Sequence, residues 1–427
     1  MAVLPDYGNK IWNTNFFLKL IAILLYIIFL FYAISAQSDI FSIAIATITL
    51  LVILLLFFPF KIETNRSFMI FLLLILLIGT LLRLWLAYAY FGNFDMNSYS
   101  TVSEIVLSGQ NVYNTTPYYN YSPIWFNLLG SLRIISDSLP ISFHFAVRGF
   151  LTIIDIFTLI LLLIIGISEG LTKNGLIRLS LLFYLNPISY LITGYHGQFE
   201  NLALFFIVLG LFFFFKMKNG NTIFKYLSWL SFSAGLIVKH NTLIMAITGI
   251  TNIFKKGRYI AFFFFITVVL FLLSFIYYWI GGSQGIISHV FMYGGISGIY
   301  GVTSFIKFPA LKYIFVAGLL VYPLIIQNRD IVDQLLLGSL FFLTFTTGIG
   351  IQYFVLPVVF GALRPSNWFL LYTFITSIVI IGAVENLDLF GFSFFSFNAV
   401  WICALFWFIF THFKIVGFFN FSSLIKT

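Results

Sequence analysis

The chain has 427 residues, 61% of them hydrophobic and only 8% charged, whereas soluble domains carry about 25% charged residues. So little charge cannot cover a water-facing surface, and lipid is the expected solvent. The net charge of +9 does not point to nucleic acid, because the basic residues are scattered in short hydrophilic gaps between apolar runs, as in the positive-inside pattern. Cys403 is the only cysteine, which excludes an intrachain disulfide.

A bilayer-spanning helix needs about 20 predominantly apolar residues. Runs of this kind cover 16–36, 40–60, 67–90, 143–167, 176–193, 199–215, 259–280, 309–327, 332–350, 367–384 and 393–412. The first is long enough to span and has no small-residue cleavage pattern after it, so it does not read as a cleaved signal peptide. The stretch 224–254 is interrupted by Lys239, His240 and Asn241 and reads as two short helices meeting at a polar turn. Residues 352–363 form another short piece, which Pro357 bends. The expected fold class is all-α: a polytopic transmembrane helical bundle of about 12–14 helices.

Two hydrophilic segments interrupt the spans. The longer, 91–142, contains amphipathic stretches at 99–108 and 124–135, separated by a Tyr-, Asn- and Pro-rich run over 111–123. The second, 281–308, is rich in Gly, Ser and Tyr. Loops of this length tend to be functional or disordered, and their aromatic content argues against disorder.

Loop charge sets the expected orientation. Lys61 with Arg66, Lys173 with Arg178, Lys216 with Lys218 and Lys225, Lys255 with Lys256 and Arg258, Arg329, Arg364, and Lys414 with Lys426 fall on one side. Asp39, Asp95, Glu104, Asp137, Glu200, Glu385 and Asp388 fall on the other. The basic side is expected to be cytoplasmic, with both termini there.

Ionisable groups near or within membrane helices are functional candidates by default, because burying them is costly unless they are paired or hydrated. Asp95 follows a spanning helix in Asn93-Phe94-Asp95-Met96-Asn97; it reads either as a general base on a hydroxyl or as a helix N-cap. Arg148 and Asp155 share one helix face about 10 Å apart, too far for a simple direct pair, so each should meet partners on other helices. Tyr195-His196-Gly197-Gln198-Phe199-Glu200-Asn201 concentrates polar side chains at an outer turn. His196 and Glu200 supply only half a metal-ligand set, and a hydrogen-bonding cluster for a polyol is the preferred reading. Lys239 with His240 suits a lipid phosphate or snorkelling to headgroups. The region around His289 and Tyr293, and Gln352 with Tyr353, complete the candidates.

Together these pieces resemble the GT-C superfamily of polyprenyl-phosphate-sugar-dependent glycosyltransferases, in particular the GPI mannosyltransferase I type. The resemblance rests on Asp95, Tyr99, Gly109, Tyr113 and Tyr118-Tyr119-Asn120-Tyr121-Ser122-Pro123 in the outer loop. Further on it uses Asn186-Pro187, His196-Gly197-Gln198-Phe199-Glu200, Lys239 and Gln352-Tyr353, and it covers roughly residues 67–360. It implies a catalytic module over 67–363, preceded by two extra helices in 1–66 and followed by C-terminal helices in 364–427. In that module Asp95 would be the catalytic base. Lys239 and His240 would face the donor phosphate, and Tyr99, Tyr121, His196, Gln198, Glu200, Gln352 and Tyr353 would hold sugar or acceptor.

The implied reaction moves a monosaccharide, mannose favoured, from a polyprenyl-phosphate carrier with inversion. The acceptor would be a lipid-linked glycan, a glycolipid or a protein, outside the cytoplasm. Many relatives carry Asp-x-Asp where this chain has Asn93-x-Asp95, a departure that bears on any divalent metal such as Mg or Mn. The rival class is a secondary transporter or a flippase for lipid-linked sugars, for which Arg148 and Asp155 are the best evidence.

Overall fold

In lipid every backbone N–H and C=O must be satisfied within the protein, and helices do this locally. Among the residues described by the computed structural model (27, 40–57, 62, 64–217, 220–293, 297–382 and 393–416), all regular structure is helical. The expected span 16–36, apart from residue 27, and the loop charges Asp39, Lys61, Lys218, Glu385, Asp388 and Lys426 lie outside those residues.

Helix α1 (Ile40–Phe57) is followed by α2 (Asn65–Ala89), capped by Thr64. The first long loop folds into α3 (Phe94–Leu107), α4 (Val112–Thr115) and α5 (Pro123–Ser138). Then come α6 (Phe143–Ser168), α7 (Lys173–Tyr184) and α8 (Pro187–Tyr190), the last continuing as a π-helical segment, Leu191–His196. Helix α9 (Glu200–Met217) pairs with α10 (Thr222–Val238), which turns through a 3-10 segment, His240–Thr242, into α11 (Leu243–Ile253). Beyond these lie α12 (Gly257–Leu273), α13 (Ile276–Gly285), a second π-helical segment (Ile286–Phe291) and α14 (Val302–Phe305). Next are α15 (Leu311–Ile325), α16 (Ile331–Phe345), a 3-10 segment (Ile351–Val355) and α17 (Val358–Leu363). The described chain ends with α18 (Asn367–Gly382) and α19 (Ser393–Val416).

Among the described residues α2, α6 and α9 are each long and apolar enough to cross a membrane; two bent pairs, α7 with α8 and its continuation and α12 with α13 and its continuation, pass the same test together. In α2 only 22% of the most apolar window is buried, and Met69, Leu73, Leu77 and Leu81 point outward. Such an outer face is compatible with lipid and not with water. The chain is an all-helical membrane protein.

The polar turn expected at 239–241 and the short pieces around Pro357 are present. Two expected spans are broken. The run 176–193 bends by 41° between α7 and α8, because Pro187 cannot donate and Asn186 restarts the helix by accepting from Ile188 N at 3.0 Å. The run 259–280 bends by 74° after α12. There Asn111 Nδ2 donates to the carbonyls of Tyr278 and Ile280 at 2.9 and 3.3 Å and draws α13 onto α4, so the second loop's structured part starts earlier than expected.

At one end of the bundle Arg364 meets Glu169 and Asp330 at 2.8 Å and Asp333 at 3.1 Å. Asp95, Gln198 and Lys239 lie at the other. A second, smaller core unites Met96, Tyr99, Trp125, Phe199, Val238 and Phe275 and joins the loop helices to the bundle.

Helix α2 and the π-helical segment touch at Gly194, where an added Cβ would lie 2.9 Å from Arg83 Cα and 3.0 Å from Arg83 O. Backbone cannot give way as a flexible side chain can. Gly194→Ala should therefore lower stability by about 1–3 kcal/mol, as overpacking does. Gly149→Ala, whose Cβ meets nothing within 4 Å, should not. Denaturant unfolding of the two variants in detergent checks this, and equal midpoints would refute it.

Candidate functional site

The end of α2 leads directly into the start of α3, and Asn93 sits between them. Its side chain accepts from Asp95 N at 3.2 Å, so Asn93 is the N-cap and Asp95 lies in the first helical turn. The capping alternative for Asp95 is thereby set aside. Its carboxylate is partly exposed, favoured by the helix dipole, and it accepts from Gln198 Nε2 and from Asn93 Nδ2.

Gln198 Oε1 in turn accepts from Tyr99 OH at 3.2 Å, one turn further along α3. His196 joins through Asn93, whose Nδ2 lies 3.3 Å from His196 Nδ1. The chain can present His196 and Gln198 to the same neighbour because Gly197 between them is left-handed, with φ 65°. A side chain there would be strained, and its Cβ would run into Met96 Sδ.

Glu200 opens α9 but turns toward Lys239, with which it forms an ion pair; the two side chains are 0% and 1% exposed. Lys239 Nζ also lies 4.1 Å from the centroid of the Phe199 ring and 4.5 Å from that of Tyr121, within cation–π range. Trp125 stacks on the Phe199 ring at 4.3 Å, and Tyr99 meets Trp125 edge-on at 5.5 Å. The result is an aromatic shell around a single ammonium, with one carboxylate inside it and Asp95 at its rim.

The phenols of this shell are held in the protonated form. Burial pushes both Tyr99 and Tyr121 well above their usual range, and the Asp95 and Glu200 charges push the same way. Burial raises Tyr293 of the second loop too, with Asp95 adding to the effect. Tyr353 lies within electrostatic reach of Glu200, Tyr293 and Asp95.

Asp95, Tyr99, Tyr121, His196, Gln198, Glu200, Lys239 and Tyr353 are thus gathered at one place. Gln352 shares the 3-10 segment with Tyr353 but folds back over Gly350 and makes no side-chain hydrogen bond among the described residues. His240 and His289 likewise take no part in the hydrogen-bond network. The run 196–201 is not one cluster: His196 and Gln198 serve Asp95, Glu200 serves Lys239, and Asn201 points inward to Asp155 Oδ1 at 2.8 Å.

Arg148 and Asp155 do find partners on other elements. Arg148 donates to the carbonyls of Tyr90 and Phe91 at 2.7 and 3.1 Å, and to those of Gly194 and Tyr195 at 3.3 and 3.2 Å. It thereby ties the approach to Asp95 to the approach to His196. Asp155 Oδ2 accepts from Arg83 Nε and from Thr193 Oγ1, both at 2.8 Å. Arg83 was missed by the sequence reading; its only signal is a lone cation in the middle of the apolar run 67–90. The bridge from Asn93 to His196 and the Trp125–Phe199 stack were also not foreseen, since both depend on contacts between distant segments.

No group of three or more His, Cys, Asp or Glu side chains converges among the described residues. Asn93 also turns its amide Nδ2, a donor, toward Asp95. These residues do not fit a Mg or Mn ion held by protein side chains alone, and no step below depends on one. No protein-family model matches the chain, and no curated protein matches it significantly.

The Arg83–Asp155 pair is fully buried, with both side chains 0% exposed. Removing one partner of such a pair costs about 3–5 kcal/mol, whereas replacing both with apolar residues of similar volume is often near neutral. Arg83→Met and Asp155→Leu should each destabilise strongly, and the double variant should recover part of the loss. A double-mutant cycle on unfolding in detergent measures this, and simple additivity would contradict the pairing.

Proposed function

We propose that the chain is a glycosyltransferase that moves a monosaccharide, mannose favoured, from a polyprenyl-phosphate carrier to an acceptor hydroxyl on the extracytoplasmic side of a membrane. This is the function of the GT-C superfamily that the sequence resembles. The observation that carries the reading is Asp95. Among the described carboxylates at this end it alone is accessible from solvent and has no cationic partner, since Glu104 and Asp137 pair with Arg133 and Glu200 with Lys239. A base must reach the hydroxyl it deprotonates, and geometry comes before pKa.

In this mechanism Asp95 takes the acceptor hydroxyl proton as that oxygen attacks the anomeric carbon. The bond from the anomeric carbon to the phosphate oxygen breaks on the opposite face, its electron pair leaves with the lipid phosphate, and the configuration inverts. Gln198 and Asn93 hold the carboxylate in place, and Tyr99 orients Gln198. Lys239 offsets charge that develops on the leaving phosphate, as preorganised groups do in a site shielded from water. The protonated phenols of Tyr121 and Tyr353 and the His196 ring are at hand for sugar hydroxyls.

The rival reading, a transporter or flippase, drew on Arg148 and Asp155. Both are taken up by fixed hydrogen bonds to backbone and to buried side chains, which supports a scaffold role for them over a moving relay. Expected outcomes separate the two readings. In lipid, wild type should transfer radiolabelled sugar from one member of a panel of polyprenyl-phosphate monosaccharides to acceptors in crude membranes. Asp95→Asn should lose at least about 100-fold in rate, the lower end of general-base contributions. Transfer that survives in folded Asp95→Asn rules out this mechanism, and movement of the labelled lipid between leaflets without transfer favours the flippase.

A further inference from the structure

Two buried ion pairs lie close together in this protein, and they are built differently. Asp155 has both oxygens hydrogen-bonded, to Arg83, Thr193 and Asn201. Among the described residues neither Glu200 oxygen has a hydrogen bond beyond the ion pair, and Lys239 Nζ meets only that carboxylate and two ring faces. A buried pair repays its desolvation only when the remaining lone pairs and protons are satisfied. Two further buried groups at this end also lack partners among the described residues: both side-chain amide atoms of Asn241, on the turn that follows Lys239, and Nε2 of His196. A pair that serves only structure has no use for unsatisfied neighbours, whereas a pair that exchanges partners needs them.

We propose that Glu200 is a displaceable counterion, which holds Lys239 until the phosphodiester of a lipid donor takes the ammonium. The inference rests on the reading of Lys239 as the phosphate partner. Carboxylate and phosphodiester are both oxyanions, and among the described residues Lys239 is the one cation in contact with Glu200. With donor bound, two anions face one buried ammonium, and the phosphodiester competes with the carboxylate for its direct contact. The released carboxylate becomes an acceptor for a hydroxyl of the same donor's sugar, and the Asn241 amide becomes available to phosphate oxygens. Glu200 in this arrangement weakens donor binding to the resting protein, while a carboxylate that only gripped sugar would strengthen it. The two roles predict opposite signs.

The test uses full-length protein in nanodiscs and the monoanionic probe farnesyl methyl phosphate, with farnesol as its uncharged reference, measured by calorimetry. The quantity read is the ratio of the two affinities, which isolates the phosphate contribution from that of the apolar chain. Affinity is diluted by the fraction of protein in the competent state, so if about a tenth is open, Glu200→Gln should raise the ratio about tenfold. Lys239→Met should reduce the ratio to near one. Glu200→Asp, whose shorter side chain reaches Lys239 less well, should fall between wild type and Glu200→Gln, and it carries the test if thermal melting shows the Gln variant unfolded.

An unchanged or lower ratio in a folded Glu200 variant, with the ratio still lost in Lys239→Met, overturns the counterion role and leaves the phosphate role of Lys239 standing. A ratio near one in wild type and in every variant overturns both.

Discussion

Arg83 and Asp155 meet at 2.8 Å with neither side chain exposed, on helices whose outer faces are apolar. In such surroundings an ion cannot turn to water, and its uncompensated burial would cost several kcal/mol. The pair therefore has to recruit polar groups from whatever packs around it. Arg83 takes the carbonyls of Gly79 and Tyr184 at 3.1 and 2.8 Å and Ser189 Oγ at 2.8 Å. Asp155 takes Thr193 and Asn201. One electrostatic requirement thus orders α2, α6, the end of α7, the start of α8, the π-helical segment and the first turn of α9. Thr193 and Asn201 bracket the turn that carries His196, Gln198 and Glu200, so both ends of that turn are anchored from below.

The same constraint explains why the candidate site is built from irregular backbone. Non-helical backbone at membrane depth is tolerated only where protein or a polar cavity satisfies it. Three such pieces, Leu191–His196, His240–Thr242 and Ile351–Val355, bring residues to one end of the bundle. Arg148 supplies donors to carbonyls on both sides of the approach to Asp95 and His196. The three loop helices then close over the turns with aromatic side chains, which lower the local polarity and strengthen each remaining charge interaction. A partly exposed carboxylate at the rim and a buried ammonium beneath it follow from this layering.

Much of the site was legible in the sequence, although not its wiring. Asp95 beside a Tyr-rich loop, the polar turn at 196–201 and a lysine at a hairpin tip are each conspicuous in so apolar a chain, because a polar residue in lipid needs a reason to be there. What could not be read was the division of labour within 196–201. A left-handed Gly197 and a new helix starting at Glu200 send consecutive polar side chains to three different partners. Arg83 stayed hidden for the opposite reason. A single cation inside an apolar run shows no local pattern, and its importance comes from Asp155 on another helix. The bends in these two spans were not legible because hydropathy measures how apolar a run is and not whether it bends, and the helix beyond the second bend is held by Asn111 in a distant loop.

By itself, the sequence determined the class of the protein and most of its helices. Long apolar runs in lipid have one inexpensive way to satisfy their backbone, within the helix itself, and so the answer is local. It also determined where polar turns interrupt those runs. Only the tertiary structure decided which of the few charges meet: Arg83 with Asp155, Lys239 with Glu200, and Asp95 with no direct ion pair among the described residues. Those choices depend on how each helix is rotated and how deep it sits, both set by packing against neighbours far away in the chain. With so few ionisable groups in a low-dielectric interior, each buried pairing is costly to leave incomplete, and the halves of both buried pairs lie on different helices far apart in the sequence.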